Sequence, residues 1–227
     1  MAEELKTISL KSNVQLKTRN NPKSIFYIVV KRFFDVVLSL CGLVLLSPVL
    51  LIAALLIFIE DGRPIIYVQT RVGKDKRRFQ MYKLRSMKRN ADQLYEQMKL
   101  AAGEKEVSFK LSDKEDPRIL KTGYYLRKFS IDELPQLINI LKGDMSLVGP
   151  RPLPDYEVKE TYGNKYDERY SVSQGLTCYW QIAGRANIPY EQRMEMDCKY
   201  ASEANTFKDL LLIVKTAIYV ISGKGEY

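Results

Sequence analysis

The chain contains no histidine. That absence excludes every mechanism built on an imidazole base, a Ser-His-Asp triad or a histidine-ligated metal. Cysteine is scarce: Cys41, Cys178 and Cys198 are the only three, and no C-x-x-C pair exists. Zinc ribbons and thioredoxin-like chemistry are excluded with it. Three unpaired cysteines are expected to be buried free thiols of a reducing compartment. There is no internal repeat and no low-complexity tract, so solenoids and arrays are excluded. What the 227 residues do have is a 46% apolar and 28% charged composition. That suits one or two folded domains, not a disordered chain.

The net charge is +9, and its placement says more than its size. Residues 1–32 carry seven Lys/Arg against two acids, residues 60–90 ten against three, and residues 91–227 nineteen against twenty-one. Between the two basic blocks runs an uncharged stretch of 24 residues, Val36 to Ile59. A straight helix of that length is about 36 Å long, enough to cross a hydrocarbon core. The run starts too late and is too long for a cleaved signal peptide. Two features favour a helix that enters the bilayer and returns. Pro48 removes a backbone donor and clashes with the carbonyl of Val44, to which Ser47 can offer its hydroxyl. Both flanks are also basic, which a single crossing does not accommodate. An ordinary spanning helix with a tolerated proline stands as the alternative. Asp35, at the mouth of the run, is expected to pair with Arg32 at the interface. The basic blocks fit anionic lipid headgroups. Nucleic acid is disfavoured as a partner, because aromatics are not interleaved with the basic clusters.

The rest of the chain alternates in character. Residues 1–24 read as a polar lead-in, 25–60 as the membrane segment and 61–227 as a catalytic domain. Residues 64–69 and 78–84 are expected to form a β-hairpin around Gly73, Lys74 and Asp75. Helices are expected over 88–101, with Leu94, Met98 and Ala101 on one face, and over 118–128, 131–142 and 190–202. The stretches 103–117, 143–154 and 173–189 read as loops, and 155–171 as part helix and part loop. Residues 207–222 are strongly apolar, but Lys208, Asp209 and Lys215 interrupt them. They are expected to form a core or interfacial amphipathic helix. The fold class is therefore α+β and predominantly helical.

Without histidine, chemistry must rest on carboxylates, with Lys and Arg as charge partners. Ser130-Ile131-Asp132-Glu133 matches the S-x-x-E capping box, and its plain reading is a helix start. The alternative uses the same geometry: a helix N-terminus binds phosphate, and a carboxylate there serves as nucleophile or metal ligand. Pro135 leaves the helix register open between starts at Ser130 and Asp132. Arg127 and Lys128, just upstream, offset phosphate charge. In Gly143–Pro152, two prolines stiffen the backbone around Arg151, which suits a bidentate grip on phosphate. A stiff loop with a surface salt bridge is the alternative there.

From Lys31 to its end the chain resembles the bacterial sugar transferases, or monotopic phosphoglycosyl transferases. The resemblance is carried by Lys31-Arg32 with Asp35, Ser47-Pro48, Gln69–Gly73, Lys83–Met87, Asp116–Ile119, Leu126–Leu137 and Lys142–Pro152, in that order. It implies a re-entrant membrane helix broken at Ser47 and Pro48. It implies Asp132 as nucleophile, Glu133 as its partner and Mg²⁺ at the diphosphate with Asp132 as ligand. The implied reaction moves a sugar-1-phosphate from a UDP-sugar to polyprenol (undecaprenyl) phosphate through an aspartyl phosphosugar, releasing UMP. Arg127 and Arg151, then Lys83 and Arg85, are the expected phosphate ligands. The implied location is the cytoplasmic face of the inner membrane, in surface-polysaccharide assembly. Two stretches depart from the family pattern: Gln174 stands for a proline and Cys178 for a glycine, and Tyr200–Asn205 differs from the usual Tyr-Val-Glu-Asn. A non-catalytic adaptor docked on anionic lipid is the alternative to the enzyme.

Overall fold

A computed structural model describes residues 23–101, 114–158, 165–183 and 188–221. Residues 1–22 of the 1–24 lead-in, most of the expected loop 103–117, and residues 159–164 and 184–187 of the expected stretches 155–171 and 173–189 lie outside the described residues.

Helix α1 runs from Ile25 to Asp61, 37 residues, with Pro48 inside it. The backbone stays helical through Ser47 and Pro48. Ser47 Oγ donates to the Val44 carbonyl at 2.8 Å, the acceptor that proline strands. One face of α1 packs along the remaining chain. Leu43 meets a cluster of Met81, Leu137, Ile140 and Met145, and Leu50, Ala53 and Ile57 meet Leu84, Leu120 and Leu126. The opposite face leaves Val44, Leu45, Leu51 and Ile59 exposed. Asp35 does not pair with Arg32. It is buried and accepts from Ser146 Oγ and Leu147 N–H at 3.0 and 2.9 Å, while Arg32 donates to the Ile140 and Leu141 carbonyls. Helix C-terminal carbonyls are unsatisfied acceptors, and a guanidinium satisfies two at once.

Strands β1 (Ile66–Val72) and β2 (Arg78–Leu84) form the expected hairpin. Its turn puts Asp75 and Lys76 at positive φ. After it come α2 (Ala91–Ala101) and α3 (Lys121–Lys128), each three residues shorter at its start than expected. The expected helix 131–142 is divided. Ser130 is left-handed, Ile131–Glu133 is a 3₁₀ turn, and α4 spans Gln136–Lys142. Pro135 stands at the N-cap, where its missing N–H costs nothing.

The expected loops 143–154 and 173–189 contain strands. β3 (Ser146–Val148) pairs in parallel with β5 (Gly175–Thr177), and β4 (Leu153–Pro154) adds to β1, giving the sheet order β2-β1-β4. Strands this short carry no periodicity to read. Gly149 and Gly175 make the crossing possible: a Cβ on either would lie 2.2 or 2.0 Å from the facing backbone. Helices α5 (Tyr179–Ala183), α6 (Tyr190–Glu203) and α7 (Thr206–Ile221) complete the fold. In α7, Leu212 is buried and Phe207, Leu211, Val214 and Ile218 are exposed. Asp209 does not interrupt an outer face. It is buried, 2.8 Å from Lys31 Nζ, and ties α7 to α1. Of the cysteines, all free, Cys178 is buried, Cys198 half-buried and Cys41 exposed on α1, against the expectation of burial for all three.

Candidate functional site

The 3₁₀ turn after α3 carries Asp132 and Glu133, both only 5% exposed. The capping box is not formed. Ser130 makes no side-chain cap and its buried hydroxyl has no partner, because its left-handed backbone turns the side chain away from the following N–H groups. The two carboxylates have different partners. Glu133 Oε1 accepts from Lys83 Nζ at 3.0 Å and from an Arg151 amino group at 2.7 Å. Asp132 Oδ1 is buried with no hydrogen-bond partner. Burial first, then the adjacent Glu133 charge, pushes the Asp132 carboxyl up to about 6, while Lys83, Arg127 and Arg151 pull against that rise.

Asp132 lines a cleft of about 590 Å³ between β1, β2 and the start of α2. Six cationic side chains share its wall: Lys83, Arg85, Lys88, Arg89, Arg127 and Arg151. The four expected phosphate ligands, Arg127, Arg151, Lys83 and Arg85, are thus brought to one cleft, whereas Lys128, also expected to offset phosphate charge, does not line it. Two of them, Lys83 and Arg151, grip Glu133. Arg85 is largely committed elsewhere: its amino groups donate to the Asp61 carboxylate and to the Asp61 and Gly62 carbonyls, which fastens the end of α1. Glu60 adds to that fastening by accepting from the Lys121 and Thr122 N–H groups at the start of α3. Ser47 and Pro48 do not line this cleft. Lys88 and Arg89 went unrecognised, although they follow Lys83–Met87 directly. Part of the basic flank is spent within the fold: Lys76 pairs with Asp167 and Arg78 with Asp155.

The backbone that presents Arg151 rests on a buried pair that nothing in the sequence flagged. Arg169 and Asp197, each 1% exposed, are 2.8 Å apart, and Arg169 also donates to the Arg151 carbonyl at 2.5 Å. Arg71 donates to the Pro152 carbonyl from the other side at 3.2 Å. Gln174, which replaces the family's proline, is fully buried, and its amide donates to the Arg169 and Val172 carbonyls. A proline offers no such donor. Cys178 is fully buried, and burial pushes its thiol well up, so it is inert packing.

Among the described residues there is no group of three or more acidic or thiol side chains able to cage a metal. A Mg²⁺ bound through one carboxylate, substrate phosphates and waters needs no cage. Asp132 fits that mode, because it lines the cleft and its buried Oδ1 has no hydrogen-bond partner.

A cleft lined by six cationic side chains, with one of two adjacent buried carboxylates in its wall, suits a phosphate-bearing substrate. The chain belongs to the bacterial sugar transferase family, whose model matches residues 26–223. It is 39% identical over 216 residues to an undecaprenyl-phosphate galactose phosphotransferase of Salmonella typhimurium, covering 93% of this chain and 44% of that one. It is 40% identical over 200 residues to galactosyl transferase CpsE of Streptococcus agalactiae, covering 88% and 44%. Against exopolysaccharide production protein ExoY of Sinorhizobium fredii, identity is 37% over 201 residues, covering 87% and 88%. The chain thus spans less than half of the first two relatives and most of the third.

Proposed function

We propose that the chain moves a sugar-1-phosphate from a UDP-sugar to undecaprenyl phosphate, in two steps through Asp132. In the first, a carboxylate oxygen of Asp132 attacks the sugar-bearing β-phosphorus. An acyl-phosphate O–P bond forms, the β-phosphorus–oxygen bond to UMP breaks, and UMP leaves with the electron pair. In the second, a phosphate oxygen of the polyprenol phosphate attacks the same phosphorus and the Asp132 carboxylate is regenerated. The supporting observation is that Asp132, a buried carboxylate with an orphan Oδ1, stands in the wall of a cleft lined by six cationic side chains. Two anions approach each other only where positive charge offsets their repulsion. Lys83 and Arg151 hold Glu133 beside the nucleophile, and Arg127 faces the same space. A Mg²⁺ held by Asp132 and the diphosphate oxygens would supply further charge neutralisation.

The membrane arrangement in this reading is monotopic. Lys31 and Arg32 near one end of α1, and Glu60 and Asp61 at the other, all hold the same catalytic unit, and the packed face between them is continuous with it. A helix so attached cannot leave through the far leaflet without dragging that unit with it. The exposed apolar faces of α1 and α7 therefore enter one leaflet, and the polar cleft faces the cytoplasm. Names of the relatives point to transfer of galactose or N-acetylgalactosamine phosphate and to exopolysaccharide production. The test is UMP release by detergent-solubilised protein with Mg²⁺ and a panel of UDP-sugars. One donor alone should give a burst of UMP and a protein heavier by one phosphosugar. Asp132→Asn should abolish both, and a burst that survives this substitution removes Asp132 from the mechanism.

A further inference from the structure

A second cavity, of about 470 Å³, lies on the other side of the Ser130–Glu133 turn. It is bounded by α1 at Leu46, by α7 at Ile213, Thr216 and Ala217, and by Leu147 and Leu176 of the parallel strand pair. Its inner end is Ser130 and Glu133, so the dipeptide Asp132-Glu133 separates two cavities of opposite chemistry. The cleft on the Asp132 side is cationic. The one on the Glu133 side is mostly apolar, with Ser130, Gln181 and Tyr219 among its few polar side chains, and the hydroxyls of Thr216 and Thr177 are already spent. Thr216 donates to the Leu212 carbonyl at 2.7 Å, and Thr177 donates to Thr216 at 2.7 Å.

We infer that this apolar cavity seats the first isoprene units of the polyprenyl phosphate acceptor, with the phosphate at its inner end beside Glu133. The inference rests on the transferase reading above. A sugar does not fit there, because its hydroxyls would lose water and find mostly apolar walls. A hydrocarbon chain loses nothing by the same move. The occupant must also carry an anionic group that reaches the Asp132 side, and a polyprenyl phosphate is the ligand with both parts. The cavity is also continuous with surface that a lipid travels along. Its flanks are the exposed apolar residues Val44 and Leu45 of α1 and Val214 and Ile218 of α7. An acceptor sliding along that surface enters tail-side, while the nucleotide sugar enters the polar cleft from water. Each substrate thus has its own route to one aspartate.

The test fills the cavity and reads the two half-reactions separately. Ala217→Trp should raise the KM for undecaprenyl phosphate at least tenfold, while the UMP burst with donor alone stays within twofold of the parent chain. Leu211→Trp, exposed on the same helix and outside the cavity, should leave the acceptor KM unchanged. An unchanged acceptor KM in Ala217→Trp overturns the inference. A parent chain with no UMP burst overturns the transferase reading instead, so the two failures are distinct. A second measurement needs no variant: an undecaprenyl phosphate carrying a diazirine on its first isoprene unit is photolysed with the parent protein. Label on the segments that line the cavity, around Leu46, Phe129–Leu134 and Leu147, over 175–183 or over 213–220, competed by unlabelled acceptor, supports the site. Label elsewhere, or label that excess acceptor does not displace, overturns it.

Discussion

Asp132 is a carboxylate kept from water beside a second carboxylate, a costly arrangement unless it serves chemistry. Its raised pKa, about 6 against 3.8, means the folded chain holds its proton more tightly than the unfolded one. Stability linked to this residue therefore falls as pH rises from about 4 through about 6, and the cost is complete above that window. Asp132→Asn should accordingly stabilise the fold at pH 7.5 by roughly 1–3 kcal/mol, and the gain should vanish below pH 4, as followed by thermal unfolding. A gain independent of pH would show that charge is not the cause. In the proposed mechanism the same titration sets the rate, since only the ionised form would attack phosphorus. Single-turnover UMP release should fall as pH drops below about 6. Lys83 opposes the rise, so Lys83→Met should move that acid limb to higher pH. A limb that stays in place, or moves down, would assign the titration to another group.

At the scale of elements, the site depends on short pieces held by close backbone approach. Gly149 precedes the Pro150-Arg151-Pro152 bend, and a Cβ there would lie 2.2 Å from the Ser173 carbonyl oxygen. Gly149→Ala should destabilise the chain by about 1–3 kcal/mol and weaken donor binding, because Arg151 moves with the bend. Gly42 offers the contrast: a Cβ there meets only the flexible end of Leu137, at 3.3 Å. Gly42→Ala should lie within about 0.5 kcal/mol of the parent in thermal unfolding. Equal losses in the two variants would mean that the crossing is not the sensitive point. The elements also show where reading from sequence ran short. The hairpin and α6 were legible, because their periods repeat over seven and fourteen residues. β3, β4 and β5 were not, since two or three residues make no pattern and their pairing partners lie far along the chain.

For the whole molecule, the decisive matter is sidedness. If α1 lies along the catalytic unit with both ends attached, Lys23 and Lys74 share one compartment. Cysteine substitutions at both positions, labelled in sealed right-side-out vesicles with a membrane-impermeant maleimide, should both stay unlabelled until the vesicles are opened. Labelling of one before opening would mean a crossing. The exposed apolar faces of α1 and α7 belong to the same leaflet in this arrangement, so the cavity between them opens toward lipid.

Composition and local order were enough to determine several things. The absence of histidine left carboxylates to do the chemistry. An uncharged run between basic blocks called for a membrane. The segments around Asp132 and Arg151 marked residues that meet at one cleft. These are properties of residue type and near neighbours, so one dimension carries them. Only the folded chain decided the roles within that set. It turned a nominal helix cap into a 3₁₀ turn with two unlike carboxylates. It spent Arg85 on the end of α1 and buried Arg169 with Asp197 beneath Arg151. Such roles depend on which distant side chains meet and how much water they lose on meeting, and neither follows from spacing along the chain.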